Sequence, residues 1–376
     1  MKHRSFKNLP QDISLLGLGC MRFPTLPDES IDEEQSLAII DYLYKNGVNY
    51  FDTAYPYHHG QIEAFVGRAL SGYPRDSFYL ASKMPVWELK TEADAPRIFE
   101  EQLARCKTDY FDFYLCHALD AERYELIQRL NLLPFLQKMK EAGKILHIGF
   151  SFHDKPPVLK EICNGVNWEF AQLQINPLDW DVYQSQEQYE ILESHNIPCI
   201  IMEPVRGGQL TDLGPEANKL LTRQDAQGSI ASWSMRFSAG LSNTLTVLSG
   251  MGSLAQAEDN IKTFCEARPL SQNEQQALDE AMQLYKESKA IGCTACRYCM
   301  PCPQGVDIPG IFKLFNHCNI QRMVDFKEEY KSFDESAKAA HCVDCGLCEK
   351  VCPQHLSIPQ LLKKIDAGQP FALHTA

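Results

Sequence analysis

A parallel (β/α)8 barrel of the α/β class, followed by a smaller, mostly α-helical domain, is the fold that three observations predict. Eight short apolar runs recur between residue 13 and about residue 265. Longer stretches of helical periodicity separate most of them. After about residue 270 the composition changes, and eight cysteines crowd into two short runs.

The eight runs are ISLLGLGC (13–20), VNYFDTA (48–54), FYLASK (78–83), FDFYLCH (111–117), ILHIGFS (145–151), FAQLQIN (170–176), IPCIIMEP (197–204) and LTVLSG (245–250). Strands covered on both faces of a parallel sheet read as continuous apolar runs, as these do. Between them lie EEQSLAIIDYLYKNG (33–47) and LNLLPFLQKMKEAGK (130–144), whose Gly143 stands just past a helix end. Eight alternating units of this size close a barrel. An open doubly wound sheet is disfavoured, because no G-x-G-x-x-G follows the first strand. The expected division is 1–268 for the barrel and 269–376 for the cysteine-bearing domain.

A chain of 376 residues accommodates one large domain and one small one. Its 44% apolar and 23% charged content is ordinary for a globular protein. The formal net charge of −13 argues against nucleic acid as a partner, since phosphate binding needs clustered Lys and Arg. No apolar stretch approaches the roughly 20 residues that span a bilayer, and MKHRSFKNLPQDIS lacks the apolar centre of a signal peptide. These features predict no membrane association and a cytoplasmic location. In that reducing compartment fifteen cysteines do not form a disulfide framework. Seven of them (Cys20, Cys106, Cys116, Cys163, Cys199, Cys265 and Cys318) are scattered singly and read as small buried hydrophobes.

The remaining eight are Cys293, Cys296, Cys299 and Cys302 in CTACRYCMPC, and Cys342, Cys345, Cys348 and Cys352 in CVDCGLCEKVC. A Cys-x2-Cys-x2-Cys loop brings three thiolates round one compact ligand. In two-cluster proteins a fourth cysteine, followed by Pro, serves the other cluster. Residues 342–353 fit that pattern, whereas two rather than three residues separate Cys302 from Cys299. Structural zinc usually draws paired cysteines from separate segments, so the crowding predicts two 4Fe–4S clusters. Cys302 is expected to serve the second cluster and Cys352 the first. The domain also repeats internally: CPQGVDIPGIFKLF (302–315) aligns with CPQHLSIPQLLKKI (352–365). Each copy has a cysteine run, a turn and a helix with Pro near its start.

Four polar residues stand at or just past strand ends: Asp52 and Tyr57 after the second run, Lys83 closing the third and His117 closing the fourth. In a β/α barrel such positions face one pocket. The constellation resembles the aldo-keto reductase family, whose site is Asp, Tyr, Lys and His in this order. The likeness spans roughly residues 8 to 265. Its most specific part is D-T-A-x-x-Y-x-x-G-x-x-E, which includes Gly60 and Glu63. The whole chain resembles the branch of that family with a C-terminal iron–sulfur extension, a tail similar to α-helical ferredoxin domains.

The resemblance implies hydride transfer between a nicotinamide and a carbonyl/alcohol substrate. Tyr57 would donate the proton, although a free phenol of pKa about 10 is a reluctant acid. Lys83 favours the phenolate, Asp52 keeps Lys83 charged and aimed, and His117 donates a hydrogen bond to the carbonyl oxygen. Ser151 and Gln172 match two of the family's three carboxamide contacts, while Phe152 stands where an Asn is expected. Met202 takes the place of the usual aromatic platform under the nicotinamide ring. Relatives that bind NADP carry Lys, Ser and Arg where this chain has Gly250, Met251 and Gln256, so charge-assisted bonds to a 2′-phosphate are lost. Asp259 and Asn260 remain to hold the adenine. NAD(H) is therefore favoured over NADP(H), with weak nucleotide binding or another redox group as alternatives.

One-electron clusters beside two-electron nicotinamide chemistry imply an electron-transfer protein partner or a flavin, in this chain or in that partner. A structural or oxygen-sensing role for the clusters is the simpler competitor. A redox-responsive binding or regulatory subunit, with the fold kept and turnover lost, is the alternative function. YPYHHG and MPVWELK are expected to line the substrate pocket, with Tyr55, His58 and Trp87 as an aromatic wall.

Overall fold

The computed structural model describes residues 1–7, 9–266, 268–321 and 325–368. Ten strands form among the described residues: β1 (His3–Arg4), β2 (Ile13–Ser14), β3 (Leu16–Gly19), β4 (Tyr50–Asp52), β5 (Tyr79–Met84), β6 (Phe111–Leu119), β7 (Ile145–Phe152), β8 (Phe170–Gln174), β9 (Cys199–Met202) and β10 (Thr244–Ser249). β3 to β10 close a parallel barrel in sequence order, with β10 pairing β3. Every apolar run of the sequence supplies one of these strands. The first run is divided, because Ile13 and Ser14 pair antiparallel with Arg4 and His3 rather than joining the barrel.

Three of the barrel helices begin where a side chain satisfies a free N–H group. Asp32 caps Glu33–Lys45, Asp120 caps Ala121–Arg129 and Ser253 caps Leu254–Cys265. Six of the seven scattered cysteines are buried. Cys265 corrects the expectation: as the last residue of its helix it is exposed.

The barrel interior is aromatic at its N-terminal end. Phe113 is ringed by Phe6, Tyr50, Tyr79, His147 and Phe170 at centroid distances of 5.0–6.1 Å. Gly149 is required there, since a Cβ would lie 2.6–2.7 Å from Phe170. Beside this plug Glu169 is bonded by Lys7 Nζ (2.6 Å), by Lys140, by His147 (2.9 Å) and by the Ile148 N–H (3.0 Å). Burial alone would raise the Glu169 carboxyl. The bonds from His147, Lys140, Lys7 and Ile148 outweigh it and hold the group well below the usual carboxylate range. A depressed acid stabilises the fold above its ordinary value and loses that contribution as pH falls through the folded value. Acid unfolding, followed by circular dichroism from pH 6 downward, should therefore be less steep for Glu169→Gln than for the parent, from a lower starting stability. Parallel curves would refute this.

Two compact units divide the chain: Met1–Pro204 with Ser234–Pro269, and Val205–Trp233 with the chain from Leu270 onward. Against the expected 1–268 division, the segment after β9 groups with the cysteine-bearing unit. There the helix Pro215–Gln224 packs on the helix Gln272–Glu287. Gln209 Nε2 donates to the carbonyls of Ile291 and Cys293, both at 2.9 Å. Further helices in this unit are Ile308–Gln321, Phe326–Lys331, Leu347–Lys350 and Ile358–Asp366. Among the described residues no helix is long and apolar enough to cross a membrane.

Candidate active site and cysteine loops

Asp52 ends β4, Lys83 lies in β5 and His117 in β6, while Tyr57 opens a short turn, Tyr57–Gly60, that follows β4. The four side chains converge. Lys83 has no exposed surface, and its Nζ donates to Asp52 Oδ1 (2.5 Å) and to the Thr53 carbonyl (2.8 Å). The same Nζ lies 5.1 Å from the centre of the Tyr57 ring. The Tyr57 and His117 rings meet edge to face, 6.0 Å apart. Burial raises the Asp52 carboxyl, and Lys83 pulls it back down. Burial, reinforced by Lys83, His153 and Arg123, holds His117 well below its ordinary value. The imidazole is thus neutral, and its Nδ1 is buried without a hydrogen-bond partner.

Two local distortions aim these groups. Pairing of β6 with β7 slips between Cys116 and Leu119, and Ala118 takes a left-handed φ of 54°. His117 therefore sits at an irregularity of the bulge kind that re-aims side chains beside active sites. After Tyr57, His58 (φ 46°), His59 (φ 54°) and Gly60 (φ 82°) are all left-handed, a strained run for two non-glycine residues.

The motif residue Glu63 is fully buried, and burial raises its carboxyl. Its Oε1 accepts from Ser82 Oγ (2.6 Å) and Gln102 Nε2 (2.7 Å). Gln102 Nε2 also donates to the Lys83 carbonyl (3.0 Å), while Tyr114 Oη donates to Gln102 Oε1 (2.5 Å). Gln102, which no sequence motif marks, fastens the peptide of Lys83.

Of the expected pocket wall, Trp87 is in place, 5.0 Å from His117. His58 is half-buried, and burial lowers its pKa. Tyr55 is engaged elsewhere: it stacks under Arg105 at 4.5 Å and donates to Glu101.

The expected carboxamide contacts also meet. Ser151 Oγ accepts from the Ala118 N–H (2.7 Å), which leaves its O–H as a donor. Gln172 Nε2 donates to Met202 Sδ (3.4 Å), and Gln172 Oε1 is buried without a hydrogen-bond partner. A carboxamide needs one donor and one acceptor, and these atoms supply both. Phe152 is buried and adds no polar contact. Met251 is likewise buried. Gln256 uses its Oε1 to accept from the Gly252 N–H (2.8 Å), and Asp259 is half-buried. Asn260 faces inward, its Nδ2 donating to Ser249 Oγ at 2.7 Å.

In the second unit the sequence repeat is written in the backbone. Left-handed residues fall at matched places in the two copies: Ala295 with Asp344, Arg297 with Gly346, and Gly305 with His355. The aligned Ile308 and Ile358, Phe312 and Leu362, and Phe315 and Ile365 share one core, against which Cys293, Cys299, Cys302, Cys342, Cys348 and Cys352 pack. Cys302, Cys342, Cys345 and Cys348 line one cavity, to which Cys299 also contributes. Burial pushes the Cys299 thiol upward, reinforced by Cys296, Cys293 and Cys352 nearby. Among the described residues no three Cys, His, Asp or Glu side chains close on a single metal ion.

Residues 15–283 match the sequence profile of the aldo/keto reductase family, and residues 292–356 that of a 4Fe-4S dicluster domain. The uncharacterized oxidoreductase YqkF of Bacillus subtilis is 29% identical over 220 residues, 56% of this chain and 67% of that protein. L-galactose dehydrogenase of Arabidopsis thaliana is 25% identical over 322 residues, 77% of this chain and 95% of that protein. Among solved structures, the holo form of aldo-keto reductase AKR11C1 from Bacillus halodurans superposes with a TM-score of 0.61 at 26% identity, covering 75% of this chain and 96% of its own. The chain is an oxidoreductase of the aldo/keto reductase family, in the branch that carries a C-terminal 4Fe-4S dicluster domain.

Proposed function

We propose that the barrel interconverts a carbonyl and an alcohol with a nicotinamide cofactor, Tyr57 being the proton donor. The observation that carries this reading is the buried Lys83–Asp52 pair beside the Tyr57 ring, with neutral His117 edge-on to it. The nicotinamide, when bound, supplies or accepts the hydride. Ser151 and Gln172 hold its carboxamide, and Met202 packs on its ring. Neutral His117 donates a hydrogen bond to the substrate oxygen and orients it. As negative charge grows on that oxygen, the Tyr57 hydroxyl transfers its proton, and the Lys83 ammonium stabilises the phenolate left behind. Asp52 keeps Lys83 charged and pointed inward. In the reverse direction the same phenolate takes the alcohol proton.

The lack of a cation at positions 250, 251 and 256 supports NADH over NADPH. L-galactose dehydrogenase, matched over 77% of this chain, makes galactose and related aldoses sensible first substrates beside simple aldehydes. Protein purified without oxygen should oxidise NADH with at least one member of such a panel. Failure with every substrate and both nucleotides, while nucleotide still binds, would instead favour a redox-responsive regulatory subunit.

For the tail, the shared cavity supports Cys342, Cys345 and Cys348 with Cys302 as one 4Fe–4S site. The closeness of Cys299 to Cys293, Cys296 and Cys352 supports the other. Such clusters pass single electrons, so a flavin or an electron-carrying protein would link them to two-electron chemistry. Anaerobic protein should hold roughly eight iron atoms per chain, and Cys302→Ser should leave roughly four. Iron and sulfide analysis reads both numbers. Unchanged iron in Cys302→Ser would remove it as a ligand, and extracted-flavin fluorescence decides the flavin question separately.

A further inference from the structure

Arg123 lies in the first turn of the helix Ala121–Arg129, which follows β6. The register of β6 on β7 passes from Cys116–Phe150 to Leu119–Phe152, so His117 and Ala118 together oppose the single residue Ser151. Two residues against one make a β-bulge. Its second residue, Ala118, is buried and left-handed, with φ 54°. A non-glycine residue keeps that conformation only where its surroundings impose it.

Side chains hold both polar groups of the Ala118 backbone. Its N–H donates to Ser151 Oγ at 2.7 Å, and its carbonyl accepts from Arg123 Nη1 at 2.8 Å. A charged donor on a buried carbonyl makes the stronger kind of hydrogen bond. The guanidinium is itself fixed in place. Asp120 Oδ2 lies 2.9 Å from the same Nη1, while Asp120 Oδ1 accepts the Arg123 backbone N–H at 2.7 Å. Arg123 Cζ stands over the Trp87 ring at 5.4 Å, and Trp87 packs on the His117 ring at 5.0 Å. Arg123 thus reaches His117 by two routes, the backbone of the bulge and the indole. Its ion pair with Asp120 is partly exposed on both sides, 27% and 23%, and such pairs contribute little to stability.

We propose that Arg123 is a positioning residue for the carbonyl chemistry: by holding the Ala118 carbonyl and the face of Trp87, it fixes the bulge that points His117 at the substrate oxygen. The proposal rests on the role given to His117 above. Ser151 fastens the other end of the same peptide pair, so the residue expected to hold the carboxamide also steadies the imidazole.

The test compares Arg123→Met with the full anaerobic parent, using whichever carbonyl substrate the parent accepts. The ratio kcat/KM should fall roughly 10- to 100-fold, the scale on which a misplacement of about 1 Å acts. NADH affinity and the melting temperature should stay near those of the parent. Arg123→Lys, which still offers a charged donor, should recover part of the loss. In a His117→Ala background, Arg123→Met should cost less than about twofold more, since residues acting through one group are not additive. An undiminished kcat/KM in Arg123→Met overturns the proposal. So does a full additive loss in the double variant, which would place the action of Arg123 elsewhere. Crystals of Arg123→Met read the bulge without any substrate: Ala118 should leave the left-handed region and the His117 ring should turn from Trp87. If neither moves, this inference falls alone. If the parent turns over no substrate, the enzymatic reading falls, and the crystals still decide the bulge.

Discussion

Tyr57→Phe should lower kcat by about 10²–10⁴-fold, the span associated with loss of a positioned general acid. Nucleotide binding and thermal unfolding should stay close to those of the parent. The ring keeps its edge-on contact with His117 and its place beside Lys83, and the hydroxyl that carries the transferable proton is lost. Single-turnover measurement of nucleotide oxidation isolates the chemical step from product release. Turnover within about twofold of the parent with every accepted substrate would end the assignment of Tyr57 as the acid.

Lys83→Met should affect both stability and rate. The Nζ is wholly buried and makes two bonds, one to the Asp52 carboxylate. Removing one partner of a buried pair typically costs about 3–5 kcal/mol, because the other is left without compensation. Asp52 is already raised by burial, and Lys83 is what draws it down. Without Lys83 the carboxyl rises further. An acid whose folded value lies above its unfolded value stabilises the fold while protonated. That contribution is lost as pH rises from the ordinary aspartate value of about 3.9. The melting temperature of Lys83→Met should therefore fall, relative to the parent, as pH is raised from 4 to 8. Asp52→Asn in the same chain should recover part of the loss without restoring turnover. A Lys83→Met protein as stable as the parent across this range would show that the pair does not hold the site together.

The barrel was legible because each strand is a continuous apolar run, and the tetrad because barrel geometry turns distant strand ends into neighbours. What stayed hidden depends on tertiary contacts that leave no local mark. The β1–β2 ribbon takes Ile13 and Ser14 out of a run that reads as one strand. Ala118 is an ordinary alanine in the sequence, yet its left-handed backbone accompanies the slip that aims His117. Gln102 matters through the Lys83 carbonyl, 19 residues away. Tyr55 looked like part of a pocket wall because it precedes Tyr57 by two positions, but Arg105 and Glu101 claim it.

The paired left-handed positions in the cysteine loops carry a historical implication. One tandem-duplicated cassette explains why Ala295, Arg297 and Gly305 recur in conformation as Asp344, Gly346 and His355. If each copy lends its last thiol to its sibling, neither half is complete alone. A substitution in either cysteine loop would then be felt at both sites.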